Sequence, residues 1–157
     1  MSYITGMVLD RVRTSAEGPE FKLGTIGQSY DGKKYKYLQY ESGAGSVAAA
    51  AGNVAFYYGV SGASAGDTTK VTSDATDSVG VGAGVLQAVI PDGGYGWLQI
   101  TGPATLTTAL TAGADGNALT AAGAGDGTLD VSGLVTDAVV AYAIDATAKI
   151  IMCAFPE

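Results

Sequence analysis

The chain has 157 residues, 47% hydrophobic and only 15% charged, against roughly 25% charged in an average domain. It has no histidine and one cysteine, which excludes Ser-His-Asp and Cys-His nucleophile systems, histidine-based metal centres and an intrachain disulfide. The net charge of −7 is uneven: six basic and five acidic residues lie in 1–41, two basic and ten acidic beyond it, so the body repels nucleic-acid phosphates.

The length suits one domain with a core of its own. Residues 1–20 carry one short apolar piece, Met7-Val8-Leu9, then polar turn formers, and read as an extended arm. Charged residues at Asp10-Arg11 follow too short an apolar region for a secretory signal, and no apolar run reaches the ~20 residues of a membrane helix. Residues 21–27 alternate, Asp31-Gly32 is a turn signal, and residues 33–40 alternate again, which predicts a hairpin. Its second strand carries Lys33, Lys34 and Lys36 between tyrosines. Such a pattern can contact nucleic acid, but it reads better as an edge strand whose lysines face solvent. Ala48-Ala49-Ala50-Ala51 favours at most one or two helical turns, because glycines flank it.

Residues 53–60 return to strand chemistry, and 61–84 read as a long loop with a short strand near Lys70-Val71-Thr72-Ser73. Residues 84–90 and the strand from Tyr95, closed by Gly102-Pro103, flank Pro91-Asp92-Gly93-Gly94 and predict a second hairpin, with Trp97 in its alternating strand. Residues 103–108 follow as a strand whose Pro103 must sit at its start or on a sheet edge. Residues 109–127 are turn-dense, and 128–131 form a short strand. Residues 138–144 and 149–155 are apolar, β-branched runs around Asp145-Ala146-Thr147-Ala148, a third hairpin that closes the core. The expectation is an all-β, mainly antiparallel fold, a small barrel or sandwich, with arm 1–20 and a single β-rich domain 21–157.

Candidate chemistry is sparse. Asp74 with Asp77 and Asp126 with Asp130 are the closest acidic pairs, and they read as turn aspartates rather than a glycosidase pair. Residues 123–130 faintly match a calcium-binding β-helix repeat, but as one copy, so no metal or cofactor is expected. Gly80-Val81-Gly82-Ala83-Gly84 fails as a dinucleotide fingerprint because a strand pattern follows, and reads as a glycine-rich loop. Trp97 is expected in one core with Leu98 or Ile100, Val140, Ile150 and Ile151; the competing reading makes it and the tyrosines a contact platform for glycan or protein. Cys153 reads as a buried small hydrophobe. In consecutive Tyr57 and Tyr58 one ring faces each way, so one is a candidate contact between copies.

With residues 21–25, 31–37, 84–87, 95–102, 115–120 and 126–130 in view, the chain resembles the small head decoration (cement) proteins of tailed bacteriophages. The resemblance covers most of the chain in style and rests on no single diagnostic motif. It implies a β-tulip or similar small barrel with an extended arm. It also implies a non-catalytic virion protein on the outer capsid surface, commonly a trimer, that staples neighbouring major capsid proteins. No nucleic acid and no membrane is an expected partner. In the arm, Tyr3, Ile4, Met7, Val8 and Leu9 are expected to add to a sheet edge or fill a groove on a partner, with Arg11 and Arg13 pairing acidic groups there. A chain of small residues without a disulfide is expected to gain stability by burying surface between copies.

Overall fold

The computed structural model describes residues 3–59 and 68–157. Its strands are β1 (Ile26–Gln28), β2 (Lys34–Tyr40), β3 (Val54–Tyr58), β4 (Lys70–Thr72), β5 (Ser78–Leu86) and β6 (Tyr95–Gln99), then β7 (Thr101–Thr105), β8 (Ala118–Thr120), β9 (Asp130–Val131), β10 (Val139–Asp145) and β11 (Ile150–Ala154). The fold is all-β, as the sequence predicts. Ala75–Asp77, a single 3-10 turn, is the only helix among the described residues. The Ala48–Ala51 run forms none, since glycines on both sides leave too few residues to nucleate one.

The first sheet runs β1-β2-β4-β3-β5-β6, and a further β2–β6 pairing closes β2, β4, β3, β5 and β6 into a barrel. β2 is the hub. One of its edges pairs with β6 from Tyr35 opposite Gln99 to Gln39 opposite Tyr95. Its other edge pairs first with β1 and then, in parallel, with β4 at Gln39 and Tyr40. β2 is therefore a central strand, not the solvent-facing edge that its lysines suggested. The second sheet, β7-β11-β10-β8-β9, is wholly antiparallel. The chain crosses between the sheets at buried Ile100, whose N–H donates to the Lys34 carbonyl and whose carbonyl accepts from Phe155.

All three predicted hairpins form. The second is shallow: β5 and β6 pair only at Val85–Gln99 and Leu86–Leu98. Pro103 lies on β7, an edge strand. Within the predicted loop, 61–67 lie outside the described residues, as does the last residue of the predicted strand 53–60, and 78–84 turn out to be strand. Glycine suits that strand because another element presses against it. A Cβ on Gly82 would stand 2.8 Å from the Phe155 ring and 3.1 Å from Val140.

The expected single core is three clusters. Leu38, Ala55, Val71, Ala83 and Leu98, one from each barrel strand, fill the barrel interior. On one outer flank, Val54, Phe56, Val85 and Ile100 meet Leu119, Val140, Ile151 and Phe155 of the second sheet. On another, Tyr35, Tyr37 and Trp97 are roofed by Ile4, Met7, Leu9, Phe21 and Leu23. Alternation explains the split: neighbouring residues Trp97 and Leu98 point to opposite faces of β6 and so join different clusters.

Candidate interaction surface

The segment before β1 has little pattern of its own and takes its conformation from the barrel. Ile4 bridges β1 in parallel, donating to Ile26 and accepting from Gln28 at 3.2 and 2.9 Å. Arg13 exchanges two backbone hydrogen bonds with Tyr95, 3.0 and 2.8 Å. Between these two pins, Met7 and Leu9 turn onto the Trp97 cluster, and the Met7 sulphur occupies the place that a Cβ on Gly27 would take. Phe21, Tyr37 and Trp97 complete the packing at ring-centroid distances of 5.1–5.4 Å. Trp97 is only 2% exposed, so it is an anchor for the arm and not a ligand platform.

The polar groups of this segment find partners within the chain. Arg11 pairs with Glu20 at 3.2 Å, and the Arg13 guanidinium donates to the Gly18 and Glu17 carbonyls. The Thr14 N–H and hydroxyl both donate to Glu17, whose carboxyl they hold below its ordinary range. The Glu20 N–H donates to the Tyr37 hydroxyl, and Tyr3 accepts from Lys34, which also pairs with Glu157. Lys36, nearly buried, donates to the Tyr57 hydroxyl at 2.8 Å. Tyr57 packs at the margin of the barrel interior, while Tyr58, like Tyr57, remains half-buried.

Of the expected partner-binding residues, Ile4 and Leu9 thus serve the chain's own packing, and Arg11 and Arg13 its own acceptors. Val8 is left exposed. Its neighbours Met7 and Leu9, with Tyr3, Gly6, Gln28 and Tyr30, line an open depression of about 720 Å³. Tyr30, at the tip of the β1–β2 turn, is fully exposed. The depression is mostly apolar, and exposed Tyr30, from the turn, is part of its lining.

The acidic pairs serve turns. Asp74 caps the 3-10 turn, accepting from the Thr76 N–H at 3.0 Å and hydroxyl at 2.6 Å and from the Gly45 N–H at 2.8 Å. Asp77 accepts from Ala44, Asp126 from Ala75 and Asp130 from Val131. Among the described residues no three His, Cys, Asp or Glu side chains gather as metal ligands. Cys153 is buried, and burial pushes its thiol up to about 12, so it stays protonated and unreactive at neutral pH.

A surface that sequence reasoning missed lies on the second sheet. Ala118, Tyr142, Met152 and Pro103 stand in one row across β8, β10, β11 and β7. Tyr142, Met152 and nearby Ile144 are 50%, 41% and 45% exposed. The signal was present: residues 139–144 are apolar at both strand phases, whereas an antiparallel strand with one solvated face alternates.

A scan of protein-family models and searches of curated proteins and solved structures found no match to this chain.

Proposed function

We propose that the chain is a non-catalytic virion protein that binds the outer surface of a tailed-phage capsid and stabilises contacts between major capsid proteins. The observation that carries this reading is the apolar depression between arm and β1–β2 turn, with fully exposed Tyr30 in its lining. An apolar recess edged by an exposed aromatic is the kind of feature that anchors protein partners. The resemblance to head decoration proteins supplies the partner, and the closed barrel supplies a rigid base for the recess. In this reading the protein acts as a homo-oligomer, for which the resemblance implies a trimer, and uses neither cofactor, nucleic acid nor membrane.

The test is attachment to undecorated capsids of the particle with which the chain co-purifies, read by co-sedimentation and cryo-microscopy. Tyr30→Ala changes a fully exposed side chain that lines the depression, so the fold is kept. Binding should fall about tenfold or more, as expected for loss of an aromatic anchor. Attachment at the wild-type level would remove the depression from the capsid contact, and failure of the wild-type chain to bind any capsid would sink the reading.

A further inference from the structure

The barrel closed by β2, β4, β3, β5 and β6 has an open mouth with a charge at its floor. Alternation along each strand turns Lys36 inward with Leu38 on β2, Tyr57 with Ala55 on β3 and Val81 with Ala83 on β5. Leu38, Ala55 and Ala83 belong to the apolar interior. The other three stand one layer above them, at the end where β2 and β5 begin and β3 finishes. With Val79, Pro156 and Glu157 they line an open depression of about 400 Å³. Lys36 is the one buried lysine among the described residues, 9% exposed. Its ammonium donates to the Tyr57 hydroxyl at 2.8 Å. Among the described residues no carboxylate pairs with it, whereas Lys33, Lys34 and Lys70 each have one.

We propose that this mouth binds a small monocarboxylate with a short apolar body. The carboxylate sits on Lys36 and Tyr57, and the body lies against Val79, Val81 and Pro156. Charge selects an anion: an ammonium withdrawn from water is costly unless a negative group faces it, and the described residues bring it none. Donor count selects a carboxylate. An ammonium has three N–H donors, of which the Tyr57 hydroxyl takes one. That hydroxyl, having accepted, keeps its own proton. Two adjacent groups can therefore each donate to one oxygen of a carboxylate, in the charge-assisted bonds that are the stronger kind. The surroundings limit the ligand to one negative charge. Glu157, already held by Lys34, lines the same depression and opposes a second, such as that of a phosphate dianion. The remaining wall is apolar, and its Val79 is exposed, so an apolar body gains by covering it. Both the place and the volume are those of small-ligand sites, which favour the mouths of barrels.

The inference stands independently of capsid attachment. The experiment titrates hexanoate into the full chain, followed by calorimetry and by amide shifts in nuclear magnetic resonance. Hexanoate should bind at a single site, with shifts centred on Lys36, Tyr57 and residues 79–81. Hexanol, the same body without the charge, and inorganic phosphate should each bind about tenfold more weakly or worse. Lys36→Met keeps the stem, removes the charge and should weaken hexanoate binding about tenfold or more. Emission from Trp97, on the outer flank of the barrel, reports whether the variant is folded. Tyr57→Phe removes only the hydroxyl and should weaken binding severalfold; it decides the matter if the Lys36 variant unfolds. Lys149→Met, on the β10–β11 turn of the second sheet, should leave binding unchanged. Absence of hexanoate binding overturns the proposal, as does binding that survives the Lys36 and Tyr57 substitutions in folded protein. Equal binding of hexanol reduces the mouth to an apolar recess and overturns it too. Asp67→Asn tests a carboxylate outside the described residues. Hexanoate binding that appears only in that variant would give Lys36 to the chain's own acid and equally overturn the proposal.

Discussion

Asp74 is a carboxylate that the fold removes from water and supplies with donors. The Thr76 hydroxyl contributes most to holding its carboxyl below the ordinary 3.8, followed by the Gly45, Thr76 and Asp77 N–H groups, while burial works in the opposite direction. A depressed carboxyl stabilises the fold fully above its unfolded value, and that contribution fades as the pH falls below it through the depressed value. The wild type should therefore lose stability as the pH drops below about 4. Asp74→Ala should cost about 2–3 kcal/mol at neutral pH, because it strands buried donors. It should also flatten the acid limb of a plot of melting temperature against pH. An unchanged acid limb would show that Asp74 is not among the groups that set it. The sequence marked Asp74 as a turn aspartate, which it is. That it is buried depends on Gly43–Gly45, far away in the chain, closing over it.

At the scale of elements, β5 shows why glycine spacing misleads. Three glycines in residues 80–84 look like a loop, because glycine weakens a strand and offers nothing to pack. Here the missing side chain is what allows the strand to lie against the Phe155 ring and Val140, joining barrel to second sheet. Gly82→Ala should destabilise by about 1–3 kcal/mol, since the buried ring has nowhere to retreat. Chemical denaturation followed by far-ultraviolet circular dichroism measures it. A neutral effect would mean that the sheets are free to shift apart at this junction. The hairpins were legible because both strands and the turn of each lie within a short window. The pairings β2–β6 and β2–β4 were not, because they join segments separated by about 60 and about 30 residues, far beyond any local window.

For the whole molecule, the arm proves to be part of the barrel's cover. Removing residues 1–20 should take Ile4, Met7 and Leu9 off Tyr37 and Trp97. At ~1.5–3 kcal/mol per fully buried side chain, less for partial burial, the loss is on the order of 3–5 kcal/mol. Trp97 emission should shift towards that of a wetted indole, and the melting temperature should fall. A truncated chain with unchanged melting and emission would return the arm to the status of a passive tail. This result governs how capsid binding must be tested: truncation disturbs the fold as well as the contact, whereas Tyr30 can be changed without touching the packing.

The sequence by itself determined the β class, the three hairpins, the confinement of Pro103 to a strand start or a sheet edge and the burial of Trp97 and Cys153. Each of these follows from alternation, turn chemistry or side-chain size within a few neighbouring residues. Only the tertiary structure decided that β2 is central, that its lysines find partners in Tyr3, Tyr57 and Glu157, and that the core is divided among three faces. It also decided which apolar residues remain in water. Val140 and Ile151 are buried while Tyr142 and Met152, two and one residues away, are exposed. Hydrophobicity is a property of the residue, but the face to which it points and what covers that face depend on strands brought together from distant parts of the chain.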